Sequence, residues 1–156
     1  VMVSHRCRLI MEILQRMLKS GAIIHCDETR VQVLNEPGRA NTADSYMWVF
    51  RGGDPDKPVV LFRYAPTRSG EVPREILEGY QGYLQTDAYS AYGQFERKGS
   101  LITLVGCMAH VRRNFVKVID ARGKGAKKTG SAEVALDYIR KLYAIEKRLG
   151  SRSSPR

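Results

Sequence analysis

Three extended apolar segments fall within the first 64 residues, with turn-forming residues between them. The first begins at Ala22-Ile23-Ile24 and runs to Asp27 or a few residues beyond. The second is YMWVFR, residues 46–51, and the third PVVLFRY, residues 58–64. Aromatic and β-branched side chains fill these runs, as a pleated, half-buried surface requires. The links are NEPGRANTAD, residues 35–44, and Gly52-Gly53-Asp54-Pro55. Gly, Pro, Asn and Asp each favour reversal of the chain. Such short links leave antiparallel pairing as the expected connection.

After residue 65 the pattern changes. VPREILEGY, residues 72–80, places Ile76, Leu77 and Tyr80 on one helical face, and GYLQT leads a fourth strand into Asp87. Residues 90–97 read as helical. LITLVGC, residues 101–107, is the most apolar run and reads as a central fifth strand. Helices are expected over 110–121, with Val111, Phe115, Val118 and Ile119 aligned, and over 131–149. A leading helix, residues 7–19, aligns Leu9-Ile10, Ile13-Leu14 and Met17-Leu18 before the stop at Ser20-Gly21. Parallel strands need long crossovers, usually helical. The fold class expected is therefore α/β, a mixed five-stranded sheet flanked by helices. This is the element order of the ribonuclease H-like fold.

The acids then acquire meaning. Asp27 follows an apolar run, where burying an unpaired carboxylate would be costly. It is either a turn residue or a metal ligand. In the ribonuclease H-like order the first and fourth strands are neighbours, so Asp27 and Asp87, sixty positions apart, would face each other. Hard divalent ions take a few carboxylate oxygens and several waters. Glu28 points to the opposite face by strand alternation and is the poorer ligand.

The chain carries 26 Lys and Arg against 16 Asp and Glu, a net +10. Residues 97–128 hold nine basic residues and one acid, Asp120. A local excess of that size attracts polyanions, and phosphate backbones in particular. Arg112, Arg113, Lys117, Lys124, Lys127 and Lys128 are the expected DNA contacts, with Arg68 of the T-R-S-G loop beside them. Surface basic residues alone would look the same. Tyr89 and Tyr92 either stack on a base or belong to the core. Three widely spaced cysteines do not form a disulfide framework, and without a C-x-x-C pair no zinc ribbon can be built from this chain.

The segments HCDETRVQVLNEPGRANTADSYMWVF, YAPTRSGEVPREILEGYQGYLQTDAYSAYGQF, GCMAHVRRNF and LDYIRKLYAIEKRL resemble the catalytic core of the insertion-sequence-66 family of bacterial DDE transposases. The likeness runs from about residue 22 to 149. It implies a ribonuclease H-like fold, Mg²⁺ or Mn²⁺, and DNA cleavage and strand transfer at transposon ends. It carries the catalytic and metal-binding roles to Asp27 and Asp87. Cys107 and His110 match a C-x-x-H element that shapes the active site or touches the DNA end; the alternatives are a small buried thiol and a helix-start residue. A homo-oligomer on DNA is a further expectation. The family's third acid, a Glu in a D-N-N-x-x-E stretch, has no match here; Glu133 and Glu146 are poor substitutes. A truncated core is expected, which binds DNA non-specifically and does not cleave it alone. A non-catalytic DNA-binding remnant and another ribonuclease H-like nuclease are the competing readings.

The expected organisation is a leading helix at 1–21, a partial core at 22–122, a basic loop and the start of a helical insertion at 123–149, and a disordered tail at 150–156. No apolar run approaches the roughly 18 residues that cross a bilayer. A cytoplasmic protein without membrane association is expected.

Overall fold

The computed structural model describes residues 7–122 and 130–150. The basic-loop residues Lys124, Lys127 and Lys128 and the tail 151–156 lie outside them. The chain forms two compact units, Val1–Gly106 and Cys107–Arg156.

The first unit runs α1 (Arg8–Leu18), β1 (Ile23–Gln32), β2 (Asp44–Asp54), β3 (Lys57–Ala65), α2 (Glu71–Ile76), β4 (Gly82–Thr86), a 3₁₀ helix (Ser90–Glu96) and β5 (Ile102–Gly106). Its sheet is mixed, in the order β3-β2-β1-β4-β5. β1, β2 and β3 pair antiparallel, and β1–β4 and β4–β5 pair parallel. This is the ribonuclease H-like strand order.

Register decides which side chains share a face. Ile24 pairs with Leu84, Cys26 with Phe50, Glu28 with Trp48, and Phe50 with Leu61. Those positions form the inner face. Leu18, Ile76, Leu77, Tyr80, Tyr92 and Phe95 complete the core with it. Only Leu18 of the apolar face of α1 is buried; Leu9, Ile10 and Ile13 are exposed. The alternate positions of β3, Val60, Phe62 and Tyr64, are also exposed.

Several boundaries differ from expectation for identifiable reasons. The glycine pair at 52–53 belongs to β2 rather than to the turn. Gly53 has φ +89, and a Cβ on Gly21 would lie 2.1 Å from its carbonyl oxygen. The turn after α1 therefore packs backbone to backbone on the end of β2. Gly21→Ala is expected to destabilise the fold by about 1–3 kcal/mol, the usual range for overpacking. A lowered urea midpoint with an unchanged slope would show it; an unchanged midpoint would not fit this contact. The helix expected over 72–80 stops at Ile76, and Gly79 at φ +73 turns the chain towards β4. The helix expected over 90–97 is present as a 3₁₀ helix over 90–96. In a 3₁₀ helix positions i and i+3 eclipse, which brings Tyr92 and Phe95 onto one buried face. β5 is an edge strand and not a central one. Its apolar run reflects partial burial of Ile102, Leu104 and Val105, while the helical crossovers set its place in the sheet.

The second unit holds α3 (Met108–Asp120) and α4 (Ser131–Gly150). Arg122, just after α3, pairs with Glu133 in the first turn of α4 at 2.9 Å. α3 has no fully buried residue; Phe115 and Ile119 are half-buried, while Val111 and Val118 are exposed. Among the described residues no helix is long and apolar enough to cross a membrane.

Candidate active site

Asp27 lies on β1, which runs on beyond it to Gln32. The sheet explains how it still meets Asp87. β1 pairs with β4 only from Ile23 to His25, whereas its pairing with β2 continues to Gln32. Asp27 therefore sits two residues past the end of the parallel ladder. Asp87 sits one residue past the end of β4. Carboxylate oxygens of the two lie within 4.8 Å of each other.

Both side chains are anchored. Asp27 Oδ1 accepts the backbone N–H of Glu28 at 2.9 Å. Asp87 Oδ1 accepts the N–H of Tyr89 at 2.9 Å, an Asx turn, and the Thr86 hydroxyl donates to the Asp87 carbonyl at 2.9 Å. A cleft of about 340 Å³ opens beside Asp87, lined also by Tyr89, Ser90, Glu96 and Gly106. The donor set of the pair is hard oxygen, which suits Mg²⁺ or Mn²⁺ rather than a soft metal.

Beneath the pair lies a polar network. Glu28 faces the core, and its side chain is 1% exposed. Its Oε1 accepts Arg68 Nε at 2.7 Å and pairs with Arg68 Nη2; its Oε2 accepts the Tyr92 hydroxyl at 2.7 Å. That hydroxyl also lies 3.4 Å from Cys26 Sγ. Because Tyr92 gives its one proton to Glu28, the thiol is the donor there. Burial pushes the Cys26 thiol up to about 12, so it stays protonated. Burial likewise raises the Tyr92 phenol above its ordinary value. Tyr92 packs edge-on to Trp48 with centroids 6.3 Å apart, and Tyr89 edge-on to Tyr92 at 6.0 Å. Tyr92 belongs to the buried core, and Tyr89 is half-buried against it and lines the cleft.

Arg68, expected to grip phosphate, is engaged inside this network. Besides Glu28, its guanidinium lies 3.7 Å above the Tyr89 ring, and its Nη2 is 3.9 Å from Asp87 Oδ2. The Tyr89 hydroxyl donates to the Arg68 carbonyl at 2.7 Å. Glu28, set aside in the sequence as the poorer metal ligand, is instead the buried partner of Arg68 and Tyr92. Its signal was a second acid on the buried face of an apolar strand, which demands a partner.

The other expected residues lie in the second unit. Cys107 precedes α3 and His110 is in its first turn, both half-buried. Arg112, Arg113 and Lys117 are exposed on α3. Glu133 is paired with Arg122, and Glu146 is exposed on α4.

Residues 2–156 match the family described as Transposase IS66 family. The chain belongs to that family. Similar proteins include the uncharacterized proteins y4jD and y4qI of Sinorhizobium fredii (strain NBRC 101917 / NGR234). The first is 30% identical over 149 residues, covering 88% of this chain and 28% of y4jD. The second is 32% identical over 114 residues, covering 66% of this chain and 21% of y4qI. The chain thus spans about a quarter of the length of these relatives. Among solved structures, a chain from the simian T-cell lymphotropic virus intasome in complex with PP2A regulatory subunit B56 gamma is similar. It has a TM-score of 0.42 at 13% identity, covering 76% of this chain and 48% of that one.

Proposed function

We propose that this IS66-family segment supplies two carboxylates of a metal-dependent site for DNA strand cleavage and strand transfer at transposon ends. The observation that carries the reading is the meeting of Asp27 and Asp87 past the end of the β1–β4 ladder. Asp27 and Asp87 would hold Mg²⁺ or Mn²⁺. Such ions activate an attacking oxygen and stabilise a leaving one in phosphodiester chemistry. The backbone N–H groups of Glu28 and Tyr89 fix one oxygen of each acid. Arg112, Arg113 and Lys117 are exposed and available to phosphates, to which arginine can bind bidentately. Lys124, Lys127 and Lys128 extend the same basic segment in the sequence. Cys107 and His110 are proposed to shape the site, and assembly as a homo-oligomer on DNA belongs to the same reading.

The test is incubation of the chain with duplex DNA bearing transposon ends and Mn²⁺. Two acids without the third are expected to give binding without nicking. Clean nicking that disappears in Asp27→Asn would show instead that the chain cuts unaided. Failure to bind DNA at low salt would remove the reading. In the same titrations, Arg112→Ala with Arg113→Ala is expected to lower the slope of log affinity against log salt by about two, near 0.9 for each phosphate no longer neutralised. An unchanged slope would take both arginines out of the interface.

A further inference from the structure

We infer that Glu28 is a positioning residue for the acid pair: it holds the Arg68 guanidinium off Asp87 and so leaves Asp87 to a divalent cation. The inference rests on the reading of Asp27 and Asp87 as a cation site. Arg68 has two carboxylates within reach. It makes a 2.7 Å hydrogen bond from Nε to Glu28 and a second contact from Nη2 to the same oxygen, yet stands 3.9 Å from Asp87 Oδ2.

The physical reason for that choice is burial. The Glu28 side chain is 1% exposed and that of Asp87 24%, so the attraction between Glu28 and Arg68 acts through protein while Asp87 is partly screened by water. Tyr92 fixes the other oxygen of Glu28, and Tyr92 is itself fully buried against Trp48. Tyr89 holds Arg68 from a third side, by its ring and by its bond to the Arg68 carbonyl. A guanidinium that closed on Asp87 would compete with any metal ion there. With the charge of Glu28 removed, Asp87 is the remaining acid near Arg68 in this network. A shift of about an ångström would then bring the 3.9 Å contact to ordinary hydrogen-bond length.

The experiment is a Mn²⁺ titration of the full chain followed by electron paramagnetic resonance of the free ion. Glu28→Gln is expected to weaken binding about tenfold, within the range for residues that support metal ligands. Adding Arg68→Gln is expected to restore most of that loss, because the competitor is gone. A merely structural role for Glu28 would make the double variant at least as weak as the single one, and that result overturns the inference. So does wild-type affinity in Glu28→Gln. The Arg68 Nε–H resonance gives a second reading that needs neither metal nor Glu28→Gln. It should stay in place in Asp87→Asn, because Glu28 holds it. A marked shift there would mean that Asp87 holds the guanidinium, and the inference would fail. A wild-type chain that binds no Mn²⁺ would overturn the cation site and the metal clause of the inference, while the resonance would still decide whether Glu28 retains Arg68.

Discussion

Asp87→Asn is expected to lower the affinity of the chain for Mn²⁺ by about a hundredfold or more, and Asp27→Asn to do the same. Loss of a residue that only supports a ligand costs roughly 10–100-fold, so loss of a ligand itself belongs at or above the top of that range. The two acids are separated by sixty residues, but the end of the β1–β4 ladder brings their oxygens within 4.8 Å. A cation placed there draws on both charges at once, and a neutral amide in either position removes half of the site's formal negative charge. Folding should be spared. Asparagine keeps the side-chain carbonyl that accepts the N–H of Glu28 at position 27 and that of Tyr89 at position 87. Circular dichroism and the urea midpoint of both variants should match the parent, while the depletion of free Mn²⁺ signal is lost. If either folded variant binds Mn²⁺ as tightly as the parent, that acid is not a ligand.

The acids were legible because their positions follow from local rules. An apolar run gives a strand, the order of strands and helices gives a parallel β1–β4 pair, and each acid lies at or just past the paired stretch. Asp27 lies on β1 as expected, and β2 extends that strand to Gln32 after β4 has left it. Placing β5 at the centre of the sheet confused burial with position: apolarity reports what covers a strand, not how many neighbours it has. The role of Gly52 and Gly53 is hidden in the sequence because it depends on distant neighbours: Gly21 presses on the backbone of Gly53, and Leu18 and Ile24 crowd Gly52. Glu28 was placed on the correct face by alternation. Its partners are not legible in the sequence, since they lie forty and sixty-four residues away and in different elements. Arg68 in a T-R-S-G loop reads as a solvent-facing cation until the fold brings that loop over Glu28.

That pair leads to the largest stability effect expected in the molecule outside the apolar core. Arg68→Met should destabilise the chain by about 3 kcal/mol. Removing one partner of a buried ion pair costs roughly 3–5 kcal/mol, because the remaining charge stays desolvated. The lower end applies, since Arg68 is 39% exposed and water screens part of the interaction. The burden falls on Glu28, which at 1% exposure would keep only the Tyr92 hydroxyl as a donor from this network. The double variant Arg68→Met with Glu28→Gln should recover most of the loss. Glutamine is neutral, fits the same space and still accepts from Tyr92. Urea denaturation of the parent, both single variants and the double variant closes the cycle. A coupling of about 2 kcal/mol or more is expected for a pair of this kind. Additive single effects would mean that Arg68 stabilises the loop through its stacking on Tyr89 alone. The charge of Glu28 would then have some other partner, and the network under the acids would have to be redrawn around it.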